Sequence, residues 1–341
     1  MAFVPHYPFE KIEFGQTLEV ERGVYWVRMP LPFALNHINL WLLEDDDNWT
    51  VIDTGYNNKK CQSVWETVLS QLSDNRVVTR TICSHFHPDH LGLAGWFGDI
   101  FGASLWMTYT EWLQAHMAVS KTLTHDFQKW VEFYQVHGAP ERMSSDFKEI
   151  IKSYKDAWYA LPCKVRRIQD NESILIDGRS WTVITGAGHT HEHASFWCEE
   201  LNILISGDQI LPRITSNISL WHTEPDGNPL KHYLESFKKY EELPADVLVL
   251  PSHDYPFKGL HGRLDDLRTH HQQRIQVTQE KCAVPRTAAE IIPYLFKREI
   301  NAFEFSFAIG ETLAHLNYLL DEELLECVTG RDGLIRYRSV K

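Results

Sequence analysis

Two hydrophobic rhythms alternate along the first hundred residues. Runs rich in β-branched and aromatic residues, Val24 to Arg28, His37 to Leu43 and Trp49 to Asp53, read as strands joined by turn residues such as Asp45-Asp46-Asp47-Asn48. From Asn58 to Leu72 the apolar positions Val64, Trp65, Val68, Leu69 and Leu72 recur at helical spacing, and Val77 to Cys83 returns to strand. A helix from about Leu91 to Phe101 and a short strand at Ser104-Leu105-Trp106 follow. The stretch Thr110 to Tyr159 breaks the alternation; helix formers and aromatics dominate, and it reads as two or three inserted helices. Strand signals resume at Lys164 to Ile168, Ser173 to Ile176, Trp181 to Thr185, Ser195 to Cys198 and Asn202 to Ile205. A helix over Leu230 to Leu243 then leads to a buried-type strand, Asp246 to Leu250. Past Leu264 come long helices (Leu264 to Gln279, Thr287 to Leu295, Phe307 to Leu320) and a strand-turn-strand tail around Gly333. The pattern predicts an α/β domain over 1–262, with a helical insertion at about 108–162, and a small domain over 263–341.

Composition narrows the class. With 341 residues, 43% of them hydrophobic, and 12 Trp, 13 Tyr and 17 Phe, the chain can bury a large core. No run approaches the roughly 20 apolar residues that span a bilayer. The start, Met1-Ala2-Phe3-Val4-Pro5-His6, has neither the basic flank nor the apolar core of a signal peptide. The six cysteines (Cys61, Cys83, Cys163, Cys198, Cys282, Cys327) are scattered without metal-type pairing, which reads as reduced thiols in a cytoplasmic protein. A net charge of −13 argues against a general nucleic-acid binder, although it leaves room for a local basic groove.

The chemistry concentrates in His85-Phe86-His87-Pro88-Asp89-His90, directly after the strand Thr81-Ile82-Cys83. If the extended geometry continues, His85 and His87 point to one side, because strand side chains alternate. Pro88 favours a turn, and Asp89 and His90 precede a helix, so they face the same space from the other direction. Three imidazoles and a carboxylate within six residues suit zinc or another borderline ion. Further ligand types stand at other strand ends: Gly188-His189-Thr190, Gly207-Asp208 and Ser252-His253-Asp254. Singly, each is an ordinary cap or turn residue; together they are hard to attribute to chance.

In this order the motifs resemble the metallo-β-lactamase superfamily, with its H-x-H-x-D-H run, distant His, Gly-Asp and final His. The resemblance spans about Val24 to Leu260 and implies an αββα sandwich. It implies that His85, His87 and His189 hold one metal, that Asp89, His90 and His253 hold a second, and that Asp208 bridges them. Asp53, in Ile52-Asp53-Thr54-Gly55, is similar to the buried aspartate that orients a ligand. The implied chemistry is hydrolysis by a hydroxide shared between two divalent ions, with Zn expected and Mn or Fe as alternatives. Asp89 belongs to that catalytic centre, and His193 is expected either to donate a proton to the oxyanion or to serve as a loop residue.

Departures from narrower patterns sharpen this. The best-known subclass of zinc β-lactamases places a cysteine where this chain has Asp208, which disfavours antibiotic hydrolysis. Di-iron oxygen reductases carry an acidic residue in place of His87. The third motif reads His189-Thr190-His191-Glu192-His193 rather than His-Thr-Pro-Gly-His, so His191 remains a rival ligand to His189. The tail resembles the small winged-helix domain of some β-lactamase-like hydrolases, through Pro285 to Ile291, Glu311 to Leu320 and the hairpin near Gly333. Its mixed charge points to packing or homodimer formation.

The resulting expectation is a binuclear hydrolase of a small-molecule ester, thioester or lactone, with no membrane partner. A phosphodiesterase or ribonuclease of the same fold is the alternative. A winged-helix binding protein with a vestigial site is a third reading, which the intact ligand set opposes. Trp112, Trp130, Phe133, Tyr134 and Trp158 are expected to supply apolar wall from the insertion, with plain helix packing the preferred reading for any one of them. Arg213 is a candidate for a substrate anion, although a surface ion pair is the favoured reading for it; His37 and Trp221-His222 are weaker pocket candidates.

Overall fold

The computed structural model describes residues 3–33, 35–72, 76–120, 122–141 and 156–340, with only the backbone for 122–127, 302 and 303. The first sheet runs in spatial order through β1 (Thr17–Glu21), β2 (Val24–Pro30), β3 (His37–Asp45), β4 (Asn48–Ile52), β5 (Val77–Ile82), β6 (Ser104–Met107) and β7 (Arg166–Arg167). It is antiparallel from β1 to β4 and parallel from β4 to β7. The second sheet contains β8 (Ser173–Ile176), β9 (Arg179–Gly186), β10 (His193–Cys198), β11 (Ile203–Gly207) and β12 (Leu248–Pro251), in the order β12-β11-β10-β9-β8. Only its β11–β12 pair is parallel.

The sheets close on each other through Trp26, Trp41, Ile52 and Ile82 from the first and Trp181, Phe196, Ile205 and Leu250 from the second. The outer face of the first sheet, with Leu40, Leu42 and Val51, packs against Trp65 and Val68 of α1 (Lys59–Gln71) and Phe97 of α3 (Ala94–Phe101). Outside the second sheet lie α6 (Pro229–Glu241), carrying Tyr233, Phe237 and Tyr240, and the start of α7 (Leu260–Lys281). Because both faces of β3 are covered, its sequence reads as an unbroken Leu40-Trp41-Leu42-Leu43 run rather than an alternation. The layering is the expected αββα sandwich.

Three elements differ from the sequence reading. The helix expected over Leu91 to Phe101 is broken into α2 (Pro88–Leu91) and α3 at Gly92-Leu93. A Cβ on Gly92 would lie 2.2 Å from the Pro88 carbonyl oxygen and 2.6 Å from that of Gly55, so the backbone passes where no side chain fits. The strand expected at Lys164 to Ile168 shrinks to β7. β1 was not anticipated, because the polar edge strand Thr-Leu-Glu-Val-Glu carries little hydrophobic signal.

The insertion supplies α4 (Tyr109–Val119) and α5 (Thr122–Val136); the third helix read there falls outside the described residues. The C-terminal part continues from α7 into α8 (Ala288–Leu295), α9 (Ala302–Asp321) and the hairpin β13 (Leu325–Thr329)–β14 (Ile335–Ser339). Capping boxes at Thr287/Glu290 and Asn301/Glu304 start α8 and α9, satisfying backbone N–H groups that a helix leaves unpaired. Val131 and Tyr134 of α5 are buried in one cluster with Ile291, Ile309, Leu313 and Tyr337. The Tyr337 hydroxyl lies 3.0 Å from His137 Nδ1, just beyond α5. Insertion and C-terminal domain thus share a core. No helix among the described residues is long and apolar enough to cross a membrane.

Within that C-terminal part, His315 of α9 is fully buried, its Nδ1 donating to the Glu311 carbonyl at 2.7 Å and its Nε2 lying 3.4 Å from His271 Nδ1. Burial pushes the His315 imidazole down to about 3. The unfolded chain binds that proton near pH 6.5, so stability should fall as pH drops from about 6.5, by about 1.4 kcal/mol per pH unit for this residue. His315→Gln should flatten that part of the curve measured by urea unfolding; an unchanged slope would refute the assignment.

Candidate metal centre

The ends of four strands deliver the candidate ligands. β5 stops at Ile82, so His85 and His87 stand on an irregular loop rather than on the extended strand expected, and α2 begins at Pro88. The loop still brings the rings together, with His85 Nε2 2.9 Å from His87 Nδ1. His189 follows β9, Asp208 follows β11 and His253 follows β12. His189 Nε2 lies 3.3 Å from His85 Nε2, completing one group of three nitrogens that could hold an ion. Asp89, His90 and His253 form a second, the Asp89 carboxylate lying 3.7 Å from Nε2 of each histidine.

Asp208 stands between the groups. Its Oδ1 is 3.5 Å from His90 Nε2 and 3.4 Å from His253 Nε2, while its Oδ2 is 3.5 Å from His189 Nε2. His191, the rival to His189, is turned outward, 3.3 Å from Glu224, and belongs to neither group.

Ring orientation is set from behind. His90 Nδ1 donates to Asp53 Oδ2 at 2.8 Å, His189 Nδ1 to the Asn217 carbonyl at 2.9 Å, and His253 Nδ1 to the His37 carbonyl at 3.0 Å. Each bond directs Nε2 towards the centre, as metal-binding histidines require. His90 Nε2 and Asp208 Oδ1 are buried without a hydrogen-bond partner among the described residues, which is costly unless a cation satisfies them. Burial, then neighbouring histidines, hold His85 and His87 well below the ordinary imidazole value. For His90 and His253 burial acts the same way, but the surrounding aspartates outweigh it and raise both. The donor set, imidazole with carboxylate, suits zinc, manganese or iron.

Asp53 is itself buried at φ +60°, and also accepts from the Ser84 amide at 2.7 Å and the Ser84 hydroxyl at 2.8 Å. A second buried carboxylate, Glu111 of α4, escaped the sequence reading. It accepts from the Phe86 amide at 3.1 Å and from the Glu192 amide at 2.8 Å, clipping the His85–His87 loop to the loop after β9. Its one sequence signal was an acid in line with Ala115 on the buried side of the predicted helix.

His193 differs from the donor role considered for it. It is fully buried, its Nε2 accepts from the Asp208 amide at 3.1 Å, and its Nδ1 is buried as well, so it positions the backbone of Asp208 and is not placed to reach a substrate. Arg213 forms an exposed ion pair with Asp254 at 3.2 Å, the surface alternative rather than a substrate clamp. The His37 ring accepts from the Asp254 amide and stays outside the cavity described next.

That cavity, of about 320 Å³, adjoins His87 and His189, and Trp221 and His222 line it. Of the five aromatics expected from the insertion, Trp130 alone lines it. Trp112 bonds the Pro162 carbonyl, Trp158 the Phe86 carbonyl, Phe133 packs on His137, and Tyr134 lies in the shared core.

The profile of the metallo-beta-lactamase superfamily matches residues 35–253, and that of the metallo-beta-lactamase-like C-terminal domain matches 275–340. The probable metallo-hydrolase YqjP of Bacillus subtilis (strain 168) is 27% identical over 315 residues, covering 88% of this chain and 92% of that protein. Among solved structures, a beta-lactamase domain protein from Burkholderia ambifaria is 38% identical, with 98% of both chains covered and a TM-score of 0.91. A metallo-beta-lactamase family protein from Thermus thermophilus is 27% identical over 94% of this chain and 100% of its own, with a TM-score of 0.81.

Both Glu111 oxygens accept from amides, and a glutamine could serve only one of them while pressing an NH₂ on the other. Glu111→Gln should therefore weaken metal binding about 10- to 100-fold in a chelator competition. Wild-type affinity in that variant would remove Glu111 from the support of the centre.

Proposed function

The chain belongs to the metallo-beta-lactamase superfamily and is a metal-dependent hydrolase; on that premise we propose that its centre holds two divalent ions, zinc in the first place, and cleaves a small ester, thioester or lactone. One observation carries the two-ion reading: the oxygens of Asp208 face separate ligand groups, Oδ1 towards His90 and His253, Oδ2 towards His189. Bound ions would lower the pKa of water towards neutrality and polarise a carbonyl oxygen. The protein's part is to hold His85, His87 and His189 on one side and Asp89, His90 and His253 on the other, and to fix Asp208 between them.

The ranking within acyl compounds follows from His193. Its Nε2 is taken by the Asp208 amide and its proton-bearing Nδ1 is buried away from the cavity, so it is not placed to reach a leaving group. A thiolate departs without a donated proton, which puts thioesters ahead of lactones and simple esters. The phosphodiester alternative calls for cations along the route to the metals, and none of the described residues lining the cavity is Lys or Arg.

Metal analysis of gently purified protein should approach two equivalents per chain, and near-zero content with no uptake of added Zn or Mn would defeat the reading. Asp208→Ala should lose metal and bring kcat/KM to background. Arg213→Ala removes only an exposed ion pair and should change kcat/KM by at most about fivefold. Full metal and full turnover in the Asp208 variant would show that the ligands are misassigned.

A further inference from the structure

The cavity beside His87 and His189 is not built by the sandwich alone. Its wall away from the ligands combines Trp130 from α5, Leu220 and Trp221 from the segment after β11, and Phe307 from α9. That wall is held from three directions. The Leu220 amide donates to the Gly310 carbonyl of α9 at 3.0 Å, and the Tyr134 hydroxyl of α5 donates to the Leu220 carbonyl at 3.3 Å. The Trp130 ring lies 6.1 Å from Trp221 and stacks on His222 at 5.8 Å. At Gly310 the approach is so close that a Cβ would stand 2.8 Å from Ser219 Oγ. This is a fixed junction of insertion, loop and C-terminal domain.

Its chemistry is one-sided. The lining contains no Lys or Arg among the described residues, and its acid, Glu224, lies 3.3 Å from His191. A carboxylate or phosphate lodged there would meet no Lys or Arg among the described residues, and most of its surroundings would be apolar. An apolar group would gain from burial against Trp130, Leu220, Trp221 and Phe307.

The geometry points to a subsite for the uncharged, apolar part of the substrate, an alkyl or aryl chain carried on the acyl carbon, with Phe307 of the C-terminal domain setting the length it accepts. This rests on the acyl-hydrolase reading above, and the test separates the two. S-methyl thioesters of acetate, hexanoate and decanoate, with the mono-thioester of adipate, are compared on the zinc-loaded full chain. Binding of methyl hexyl ketone, which cannot be hydrolysed, is measured by calorimetry on the same preparation.

We expect kcat/KM to rise at least about tenfold from acetyl to hexanoyl, and to fall back for adipate, whose far end is charged. Phe307→Ala should raise the decanoyl-to-hexanoyl ratio about tenfold, and Phe307→Trp should weaken ketone binding by about the same factor. Ratios within one preparation do not depend on the fraction folded. Thioester turnover that ignores chain length and residue 307, or that favours adipate over hexanoate, overturns the subsite while leaving the hydrolase reading intact. Ketone binding that responds to residue 307, without hydrolysis of any acyl compound, upholds the apolar subsite and defeats the acyl-hydrolase reading instead.

Discussion

A buried carboxylate at the end of β4 organises the centre although it faces away from the cavity. Asp53 accepts from the amide and hydroxyl of Ser84 and from the ring of His90, and it does so at a left-handed φ of +60°. An unpaired charge at that depth would cost several kcal/mol, and the backbone conformation adds about 1–3 more. Three charge-assisted bonds offset this. In return, the start of the histidine loop and the protonated face of His90 are fixed together. Carbonyls of Asn217 and His37 do the same for His189 and His253 with neutral partners. The donors around Asp208 are thus aimed by the fold itself, and the chemistry depends on that aim.

The sandwich and the cluster were largely legible because both write local signals. Strands buried on two faces give apolar runs such as Leu40 to Leu43, and ligand-type residues at strand ends stand out against them. The helix break at Gly92 was hidden, since it arises from a backbone approach by Gly55 far away in sequence. Glu111 was hidden for the same reason: an acid on a helix reads as solvated until its amide partners, at Phe86 and Glu192, come into view. The choice between His189 and His191 turned on which ring has a carbonyl behind it, and sequence spacing carries no trace of that.

The aromatics of the insertion show how composition can mislead about location. Of the five described aromatics expected to wall the site, Trp112, Phe133, Tyr134 and Trp158 hold backbone or fill the core, and Trp130 reaches the cavity. Large rings are used first where they bury most area, and a wall beside polar ligands is a minor claim on them. The apolar wall of the cavity combines instead α5, the segment after β11 and α9, three separated parts of the chain that only tertiary contact brings together.

The core shared by α5 and the C-terminal helices bears on biosynthesis. Val131 and Tyr134 are translated well before Ile309, Leu313 and Tyr337, the residues they pack against. While the chain is still emerging, the sandwich has all of its ligand-bearing strands, but the C-terminal side chains on which the insertion packs are not yet made. A nascent or prematurely terminated chain would therefore carry an exposed apolar helix beside an assembled ligand cluster, a species marked for chaperone capture or proteolysis. Completion of α9 and the final hairpin closes the apolar side of that helix, and the same late contact brings Phe307 into the cavity wall.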